Sequence, residues 1–595
     1  MKIAYLDGIR LYRVLYAGIQ SLLDEQDYLN KINVFPVPDG DTGTNMAFTL
    51  MGVIENIQPH KELALNELSH LVAEAALDNA RGNSGVILAQ FFQGLNIGLK
   101  PYSAVNTSQF AAACKIAVDE AYTALMNPRE GTILSVLRAW SNSLLEESKT
   151  SADFQHIWRV SAEAAQKALD YTPEQLQVLK DAGVVDAAGR GFQSILEGVL
   201  AFMDTGNIRQ LPVIDADFSS AAIEMSQQIM DNLNYPFCTE CIVIAEDISR
   251  DELNKSLRDQ GDSIVIAGSK HRAKIHIHTD DPGALFASLE KFGEIQHQKV
   301  DDMREQNKSV LSERRIALVI DSTCDIPAEI LEKHHIHVVP VRLNFGNKQF
   351  IDRVTITNEE FYKRLSESQI HPKTSQPPPA DFRRMYQFLA SHYESVISLH
   401  LPAVLSGTMQ NAANALDKIS FKGTKVLKDS LSVSSGTGVI ALEIAEAIDA
   451  NMEFEDISAL ADKTIQNTEI FIGLKTLDAV RRGGRLSESK KRIIDFLKLN
   501  LVLTVNKEGY LKPCGVTFGR NNLFGKFEKF VLKKIKGRQV KRIGIVHGMN
   551  LETAETYRKT LSAQFPEAYV FVSDFCPALG VHGGVGAVGI AVQYH

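Results

Sequence analysis

The chain has 595 residues, 45% of them hydrophobic and 23% charged, which is typical of a globular protein with several domains. Its 63 Lys and Arg against 72 Asp and Glu give a net charge of −9, which excludes the broad basic face that general nucleic-acid binding requires. The 6 cysteines are too sparse for a secreted disulfide framework and no apolar run reaches bilayer length, so a cytoplasmic protein without a transmembrane segment is expected.

Residues 1–206 have the pattern of helices. The segments LNELSHLVAEAALDNA and FAAACKIAVDEAYTALMN place apolar residues three and four positions apart, which is the spacing of one buried helix face. Strand-like runs are scarce here, and Gly, Asp and Asn are concentrated in the loops. This pattern predicts an all-α antiparallel bundle or barrel with its chemistry at one rim.

The first loop with a chemical pattern is NVFPVPDGDTGTNM, in which Asp39 and Asp41 flank Gly40. Two carboxylates in a glycine-bearing turn can converge on a hard cation such as Mg²⁺, which takes oxygen ligands and carries nucleotide phosphates. The alternative is an ordinary Asp-Gly turn between two helices. The spacing alone leaves both interpretations open.

Three further loops follow in this region: ARGNSG, EGTILSVLRAW and GVVDAAGRGF. The first supplies small residues and backbone N–H groups that suit a phosphate. The second places Thr132 at a helix start, and the third holds Asp186 among glycines. Each loop alone could also simply turn the chain.

In this order, the four loops resemble the ATP-binding domain shared by the fatty acid kinases and the dihydroxyacetone kinase L-subunit, over residues 1–206. The resemblance implies an eight-helix antiparallel barrel that binds ATP with two Mg²⁺ ions. It implies metal ligands, including the catalytic carboxylates, at Asn33, Asp39 and Asp41. It also implies nucleotide contacts at Thr42, Gly43, Asn45, Ser84, Gly85, Thr132 and Asp186.

Residues 211–304 mix strand-like runs, CIVIAED, SIVIAG and KIHIHT, with helices, which predicts a small α/β domain. His276 and His278 stand two apart in one strand and therefore face the same side. Imidazole together with a thiolate suits zinc. Cys238 and Cys241 would face opposite sides of an extended run, which argues against a Cys-x-x-Cys pair. The alternative is two strand histidines on a solvent-exposed face.

This arrangement is similar to the middle domain of the fatty acid kinases, over about residues 217–302. The shared pattern is Cys-Thr-Glu followed by His-x-His-Thr and Asp-Pro-Gly. The resemblance implies a metal site formed by Cys238, His276 and His278, with zinc as the expected metal.

Residues 315–595 alternate apolar runs, such as RIALVID, SVISLHL and RIGIVHG, with helical stretches, which predicts a parallel, doubly wound sheet. Polar loops follow several of these runs, where ligands bind in such folds. Their hydroxyl and imidazole groups suit a small anionic head group. Strand-end capping and turn chemistry is the alternative.

The motifs DSTCDIP, KTSQPPP, SGTMQNA, RRGGRLS and GVHGGVGA resemble those of the DegV family, which binds fatty acids. The resemblance implies a two-lobed α/β domain with the acyl tail in an apolar tunnel. It implies that Ser375 and His582 hold the carboxylate, with Thr323, Thr374 and Arg520 nearby. A basic turn at Arg481, Arg482 and Arg485 either docks onto the kinase region or is solvated.

The three resemblances together predict a kinase fused to its lipid carrier, two functions that are usually separate proteins. The expected reaction is ATP-dependent phosphorylation of a bound fatty acid to an acyl phosphate, which an acyltransferase would use in phospholipid synthesis. The family also implies a homodimer. The alternatives are a dihydroxyacetone-type kinase, whose covalent substrate domain is not recognised here, and a non-catalytic lipid-binding or regulatory protein.

Overall fold

The computed structural model describes residues 2–36, 40–205, 234–310, 312–474, 500–517 and 523–595. The chain forms two compact units, Met1–Leu311 and Ser312–His595. Among the helices of the described part, none is both long enough and apolar enough to cross a membrane.

The first unit begins with a helical region, as the apolar spacing predicts. Its helices are α1 (Gly8–Asp24), α2 (Gln26–Lys31), α3 (Thr42–Ile57), α4 (Leu65–Asn79), α5 (Gly82–Leu99), α6 (Thr107–Thr123), α7 (Ile133–Glu147), α8 (Phe154–Asp170), α9 (Thr172–Gln175), α10 (Gln177–Ala182) and α11 (Ala187–Asp204). Two short strands, β1 (Leu6–Asp7) and β2 (Ala104–Val105), pair antiparallel.

Aromatic side chains fill the core of this helical region. Trp140 of α7 lies 5.4 Å from Phe192 of α11 and 5.7 Å from Trp158 of α8, measured between ring centroids. Helices α5 and α6 approach closely because Gly98 carries no side chain; a Cβ there would lie 2.6 Å from the Cα atom of Ala113. The rings and the close backbone contact hold the helices, and so the loops at their ends, in fixed positions.

A small α/β region completes the first unit. Its elements are β3 (Phe237–Ile244), α12 (Arg250–Leu257), β4 (Asp262–Gly268), β5 (Arg272–Thr279), α13 (Pro282–Leu289), β6 (Glu294–Asp302) and α14 (Met303–Val310). The strands form an antiparallel sheet in the order β4-β5-β3-β6. The sheet packs on the helices: the Gly268 N–H donates to Gln90 of α5 at 2.6 Å, and Arg272 pairs with Glu74 of α4 at 3.0 Å.

The second unit alternates strands and helices. Its strands are β7 (Ile316–Asp321), β8 (His337–Val339), β9 (Arg342–Phe345), β10 (Lys348–Ile351), β11 (Lys373–Ser375), β12 (Ser395–His400), β13 (Lys425–Asp429), β14 (Thr468–Gly473), β15 (Asn500–Val505), β16 (Leu511–Thr517), β17 (Val540–His547), β18 (Tyr569–Asp574) and β19 (Val588–Tyr594). Its helices are α15 (Ala328–Lys333), α16 (Asn358–Glu367), α17 (Pro379–His392), α18 (Thr408–Leu416), α19 (Ser435–Asp449), α20 (Phe454–Gln466), α21 (Leu523–Ile535), α22 (Leu551–Gln564) and α23 (Pro577–Gly583).

These strands form three sheets rather than one. The sheet β13-β12-β7-β8 is parallel, as the sequence predicts. The prediction is wrong for the six-stranded sheet β16-β15-β14-β19-β17-β18, in which only the β17–β18 pair is parallel among the described strands. A short turn through Gly509, with φ +85°, joins β15 to β16, and strands joined so tightly must pair antiparallel. The third sheet, β10-β9-β11, is also antiparallel.

Candidate functional site

Helices α3 and α5 of the first unit begin beside each other at predicted nucleotide contacts. Asp41 is the N-cap residue of α3, and α5 begins at Gly82. A Cβ on Gly82 would lie 2.3 Å from the Nδ2 atom of Asn45, and the Arg81 N–H donates to Thr49 Oγ1 at 3.2 Å. Helix N-termini offer free N–H groups and a positive dipole end, which together suit phosphate.

The start of α3 is fixed by side chains that the sequence analysis missed. Asn30 of α2 accepts a hydrogen bond from the Thr44 N–H at 3.0 Å and donates to Thr44 Oγ1 at 2.9 Å. Gly43 is required because a Cβ would lie 2.2 Å from the carbonyl oxygen of Gln26. The short helix α2 therefore positions the loop that carries Asp41.

The donor atoms near this loop fit a hard cation. Asp41 supplies a carboxylate, and Asn33 is buried, with 4% of its surface exposed, and supplies an amide oxygen. Asp39 lies outside the described residues. Ser84, half-buried, and Gly85, buried, stand in the first turn of α5.

Helices α7 and α11 also begin side by side. Thr132 is the N-cap of α7, and Asp186 is the N-cap of α11. Asp186 accepts from the N–H of Gly189 at 2.7 Å and from the N–H of Ile133, the first residue of α7. Burial raises the pKa of Asp186 to about 7, and these two hydrogen bonds oppose the rise. Asp186 therefore joins the two helix starts rather than pointing to solvent.

In the small α/β region, the sheet brings together the three predicted metal ligands. Cys238 of β3 lies opposite His278 of β5, and Glu240 lies opposite His276. One ligand atom from each of Cys238, His276 and His278 lies within 4.8 Å of the others. Cys241 points to the other face of β3, into the hydrophobic core.

Two carboxylates orient the histidines of this cluster. The His276 Nδ1 atom lies 3.3 Å from Glu240 Oε1, and His278 Nδ1 lies 3.6 Å from Asp262 Oδ1. His276 Nδ1 also lies 3.9 Å from Cys238 Sγ, and His276 Nε2 is buried without a hydrogen-bond partner among the described residues. At zinc sites a carboxylate usually accepts a hydrogen bond from an imidazole that binds the metal, so this donor set with its carboxylates fits zinc.

The charge of Asp41 influences Cys238 of this cluster. Burial raises the pKa of the Cys238 thiol well above its ordinary value, Lys299 opposes the rise, and the negative charges of Glu240, Asp301 and Asp41 add to it. Burial also lowers the pKa of His278 to about 3, so its imidazole is neutral and available as a ligand. Asp41 therefore lies within electrostatic range of Cys238.

The second unit contains a cavity of about 410 Å³ with largely apolar walls. Its apolar lining includes Val341, Leu401, Val404, Leu405, Val433, Ile472, Leu474, Leu503, Leu511, Phe575 and Leu579. The polar lining includes Thr323, Thr374, Ser375, Gln376, Ser406 and His582. The cavity therefore brings together four of the five predicted lipid-contact residues; the fifth, Arg520, lies outside the described residues, as do Arg481, Arg482 and Arg485.

The polar end of the cavity combines β11 and α23. Thr374 Oγ1 lies 3.3 Å from His582 Nε2, and Ser375 is the exposed next residue of β11. Two buried acids, which the sequence analysis did not single out, hold the start of α23: Asp325 accepts from the Cys576 N–H at 2.9 Å, and Asp352 accepts from the Ala578 N–H at 3.0 Å.

Thr323 is held on a separate network. Its N–H and its hydroxyl both donate to Asp321 Oδ1. The other oxygen of Asp321 lies 3.1 Å from His400 Nδ1 and accepts from the Leu401 N–H at 3.1 Å. Burial disfavours the charge on Asp321, but His400 and these hydrogen bonds outweigh burial and lower its pKa. The Thr323 hydroxyl is thus already engaged by Asp321, whereas Ser375 is exposed at the polar end of the cavity.

Comparison with known proteins identifies three regions. Residues 36–201 match the DAK2 domain, residues 234–310 match the middle domain of fatty-acid-kinase-like proteins, and residues 315–595 match the DegV family of uncharacterised proteins. Protein YloV of Bacillus subtilis is 35% identical over 323 residues, which are 53% of this chain and 58% of that protein. An uncharacterised protein of Staphylococcus saprophyticus is 32% identical over 320 residues, or 52% of this chain and 57% of its own length. The chain thus spans little more than half the length of these curated relatives.

Solved structures similar to the chain include two fatty-acid-binding DegV proteins. DegV of Bacillus subtilis is 28% identical, covers 48% of this chain and 100% of its own, and has a TM-score of 0.44. A DegV-family protein of Thermus thermophilus is 27% identical, covers 47% of this chain and 100% of its own, and also has a TM-score of 0.44. By the three family matches, the chain contains, in this order, a DAK2 domain, a fatty-acid-kinase-like middle domain and a DegV-family domain.

Proposed function

We propose that the chain phosphorylates a fatty acid held in its own DegV-family domain, with ATP as the donor. The observation that carries this proposal is the cavity of about 410 Å³, apolar along its walls and polar at Ser375 and His582. A long apolar tail with one anionic head matches such a lining, and the volume falls in the range of ordinary ligand sites. The kinase-like domains of the same chain would use the bound fatty acid as their substrate.

The reaction requires little proton chemistry. A fatty acid carboxyl has a pKa of roughly 4 to 5, as other carboxyls do, so it is ionised near neutral pH and needs no general base. A carboxylate oxygen attacks the γ-phosphorus of ATP, the bond from that phosphorus to the bridging oxygen breaks, and ADP leaves with an acyl phosphate as the product. The protein must hold the two reactants in line and neutralise the phosphate charge.

The first unit has groups for both tasks. In the proposed site, Asn33, Asp39 and Asp41 would hold two Mg²⁺ ions, which neutralise phosphate charge when bound. The N–H groups at the starts of α3 and α5 would receive the phosphates, with contacts from Thr42, Gly43, Asn45, Ser84 and Gly85. Thr132 and Asp186 would form the opposite side, within an eight-helix barrel.

The small α/β region would hold zinc on Cys238, His276 and His278. Three protein ligands leave a fourth position open, as catalytic zinc sites do.

The acyl phosphate is a mixed anhydride, so the class of reaction that consumes it is acyl transfer. We place that acyltransferase among the partners, together with a second copy of this chain in a homodimer.

Lipid retention tests the carrier half of this proposal. Ser375→Ala and His582→Ala each remove one hydrogen bond to a charged head group, a contribution of about 1.5–3 kcal/mol, so fatty-acid affinity should fall roughly 10- to 100-fold for each. The measurement is extraction of co-purifying lipid, followed by titration with a fluorescent fatty acid. Ser366→Ala, on the exposed surface of α16, is the matched control and should bind lipid as the wild type does.

Mg-ATP binding tests the kinase half. A kinase should gain thermal stability with Mg-ATP, and this gain should be lost in Asp41→Ala.

Lipid binding that is unchanged in both cavity variants, Ser375→Ala and His582→Ala, would contradict the carrier assignment. Lipid binding without any nucleotide effect would instead favour a non-catalytic lipid-binding protein.

A further inference from the structure

One buried carboxylate, Glu240 of β3, contacts both the helical region and the metal cluster. Its side chain is 1% exposed. Its Oε1 atom accepts from the Gly82 N–H at 3.0 Å and lies 3.3 Å from His276 Nδ1. Gly82 stands 158 positions before Glu240 in the chain, and His276 stands 36 positions after it.

Two lysines pair with this carboxylate. Lys274 Nζ lies 3.0 Å from Oε2, and Lys299 Nζ lies 3.2 Å from Oε1. The two lysines and the Gly82 N–H thus hold the oxygens of Glu240 from three separate elements, β5, β6 and α5. A buried anion with this many donors has a fixed position, because any displacement would leave an ionic group unsatisfied.

Through Gly82, Glu240 contacts one of the predicted nucleotide loops, the start of α5. Gly82 is the first residue of α5 and has φ +57°, so its N–H direction depends on a backbone conformation that glycine adopts readily. It packs against Asn45 of α3 so closely that a Cβ would lie 2.3 Å from Asn45 Nδ2. A shift of Glu240 would therefore move the start of α5 against α3.

We infer that Glu240 is a positioning residue that couples zinc binding at Cys238, His276 and His278 to nucleotide binding at the starts of α3 and α5; the inference rests on the proposed function. His276, which would hold the metal, contacts Glu240 through its imidazole ring, and Glu240 accepts from the Gly82 N–H, so a ring fixed by a bound metal would restrict Glu240 and, through it, the start of α5. Two sites that bias one shared element must affect each other's affinity reciprocally.

The test measures the affinity of the purified full chain for a non-hydrolysable Mg-ATP analogue by calorimetry, with zinc bound and after chelation. No lipid is needed. In the wild type, zinc removal should weaken analogue binding by at least about fivefold, the lower end of ordinary coupling. Glu240→Gln is loaded with excess zinc, because the variant should bind the metal more weakly. Its affinity for the analogue with zinc bound and its affinity after chelation should agree within about twofold.

A second variant and a matched control separate coupling from folding. Glu240→Asp keeps the negative charge for the lysines but is one methylene shorter, so it should retain zinc and lose the coupling. Arg272→Gln breaks another contact between the small α/β region and the helices, namely the ion pairs of Arg272 with Glu74 and Asp78. Arg272 belongs neither to the metal cluster nor to the nucleotide loops. It should keep the full coupling.

The outcomes separate this inference from the proposed function. If the wild type binds zinc and analogue without coupling, or if both Glu240 variants keep the coupling, the inference is wrong and the kinase proposal stands. Loss of coupling in Arg272→Gln to the same degree would also overturn it, because any interface contact would then suffice. A zinc-loaded wild type that binds no analogue would overturn both.

Discussion

Buried carboxylates hold the residues of both candidate sites, and their surroundings decide whether they are charged. Glu240 lies between two lysines and is ionised, whereas Asp186 accepts backbone N–H groups and has its pKa raised to about 7 by burial. The lysines and His276 outweigh burial at Glu240, whereas the two backbone hydrogen bonds do not outweigh burial at Asp186. The same kind of side chain therefore behaves oppositely in two places of one unit.

The raised pKa of Asp186 predicts a specific pH dependence. The ordinary pKa of Asp is 3.8 and the folded value is about 7, so between these values the folded state binds the extra proton. The contribution of Asp186 to the free energy of unfolding should therefore fall as pH rises from about 4 to about 7 and then level off. The total fall should be on the order of a few kcal/mol. Asp186→Asn removes this titration and keeps the oxygen that caps α11. As pH rises from about 4 to about 7, the unfolding midpoint of Asp186→Asn should therefore increase relative to that of the wild type.

The control for that comparison is Asp153→Asn, which changes the N-cap carboxylate of α8 in the same way. A difference between Asp186→Asn and the wild type that is constant from about pH 4 to about pH 7 would mean that Asp186 titrates normally in the folded protein.

The two cysteines of the FCTEC segment allow a matched test of the metal site. Cys238→Ser replaces a predicted zinc ligand, so zinc content measured by elemental analysis should fall to a small fraction of the wild-type value. Cys241→Ser makes the same change three residues away, in the hydrophobic core on the other face of β3. It should lower stability, by about 1–3 kcal/mol, and leave zinc content unchanged. Equal zinc in both variants would remove Cys238 from the site.

The residue pattern predicts part of this site and misses part for a physical reason. The spacing of His276 and His278 predicts a shared strand face, because side chains alternate in any strand. Glu240 stands in the Cys-Thr-Glu pattern, but no local pattern predicts its contact with Gly82, which lies at a helix start 158 residues earlier. Contacts of that kind depend on tertiary packing, which one sequence does not display.

At the scale of elements, strands are well predicted and their pairing is not. The runs RIALVID, SVISLHL and RIGIVHG become β7, β12 and β17. Alternating strands and helices favour parallel neighbours, and this holds for the sheet that contains β7 and β12. The hairpin β15–β16 and the insertion of the last strand, β19, between β14 and β17 make the larger sheet mostly antiparallel.

The larger sheet also provides an apolar wall of the cavity, which predicts control of acyl length. Ile472 of β14 lines the cavity, whereas Ile470, two residues earlier on the same face, lies in the core outside it. Ile472→Phe should fill cavity space and weaken binding of stearic acid more than that of lauric acid. Ile470→Phe should cost a similar 1–3 kcal/mol of stability from overpacking without changing the preference. The measurement is competition between the two acids for the purified chain. An identical preference in both variants would place the tail elsewhere.

At the scale of the whole molecule, each of the two units contains its own candidate ligand site. The first unit holds the helix N-termini, the Asp41 loop and the Cys–His–His cluster, and the second unit holds the apolar cavity with its polar end. The motifs predict the order of the three domains, and the family matches confirm it.

The most direct measurement is a single turnover of the purified chain loaded with radiolabelled fatty acid, with Mg-ATP and hydroxylamine and no added carrier protein. Hydroxylamine converts an acyl phosphate to a stable acyl hydroxamate. We expect acyl hydroxamate to approach the amount of lipid-loaded chain, and to be absent in Asp41→Ala, which should keep its lipid. A wild-type chain that holds both lipid and nucleotide yet forms no hydroxamate would contradict the proposal that this chain phosphorylates its own bound fatty acid.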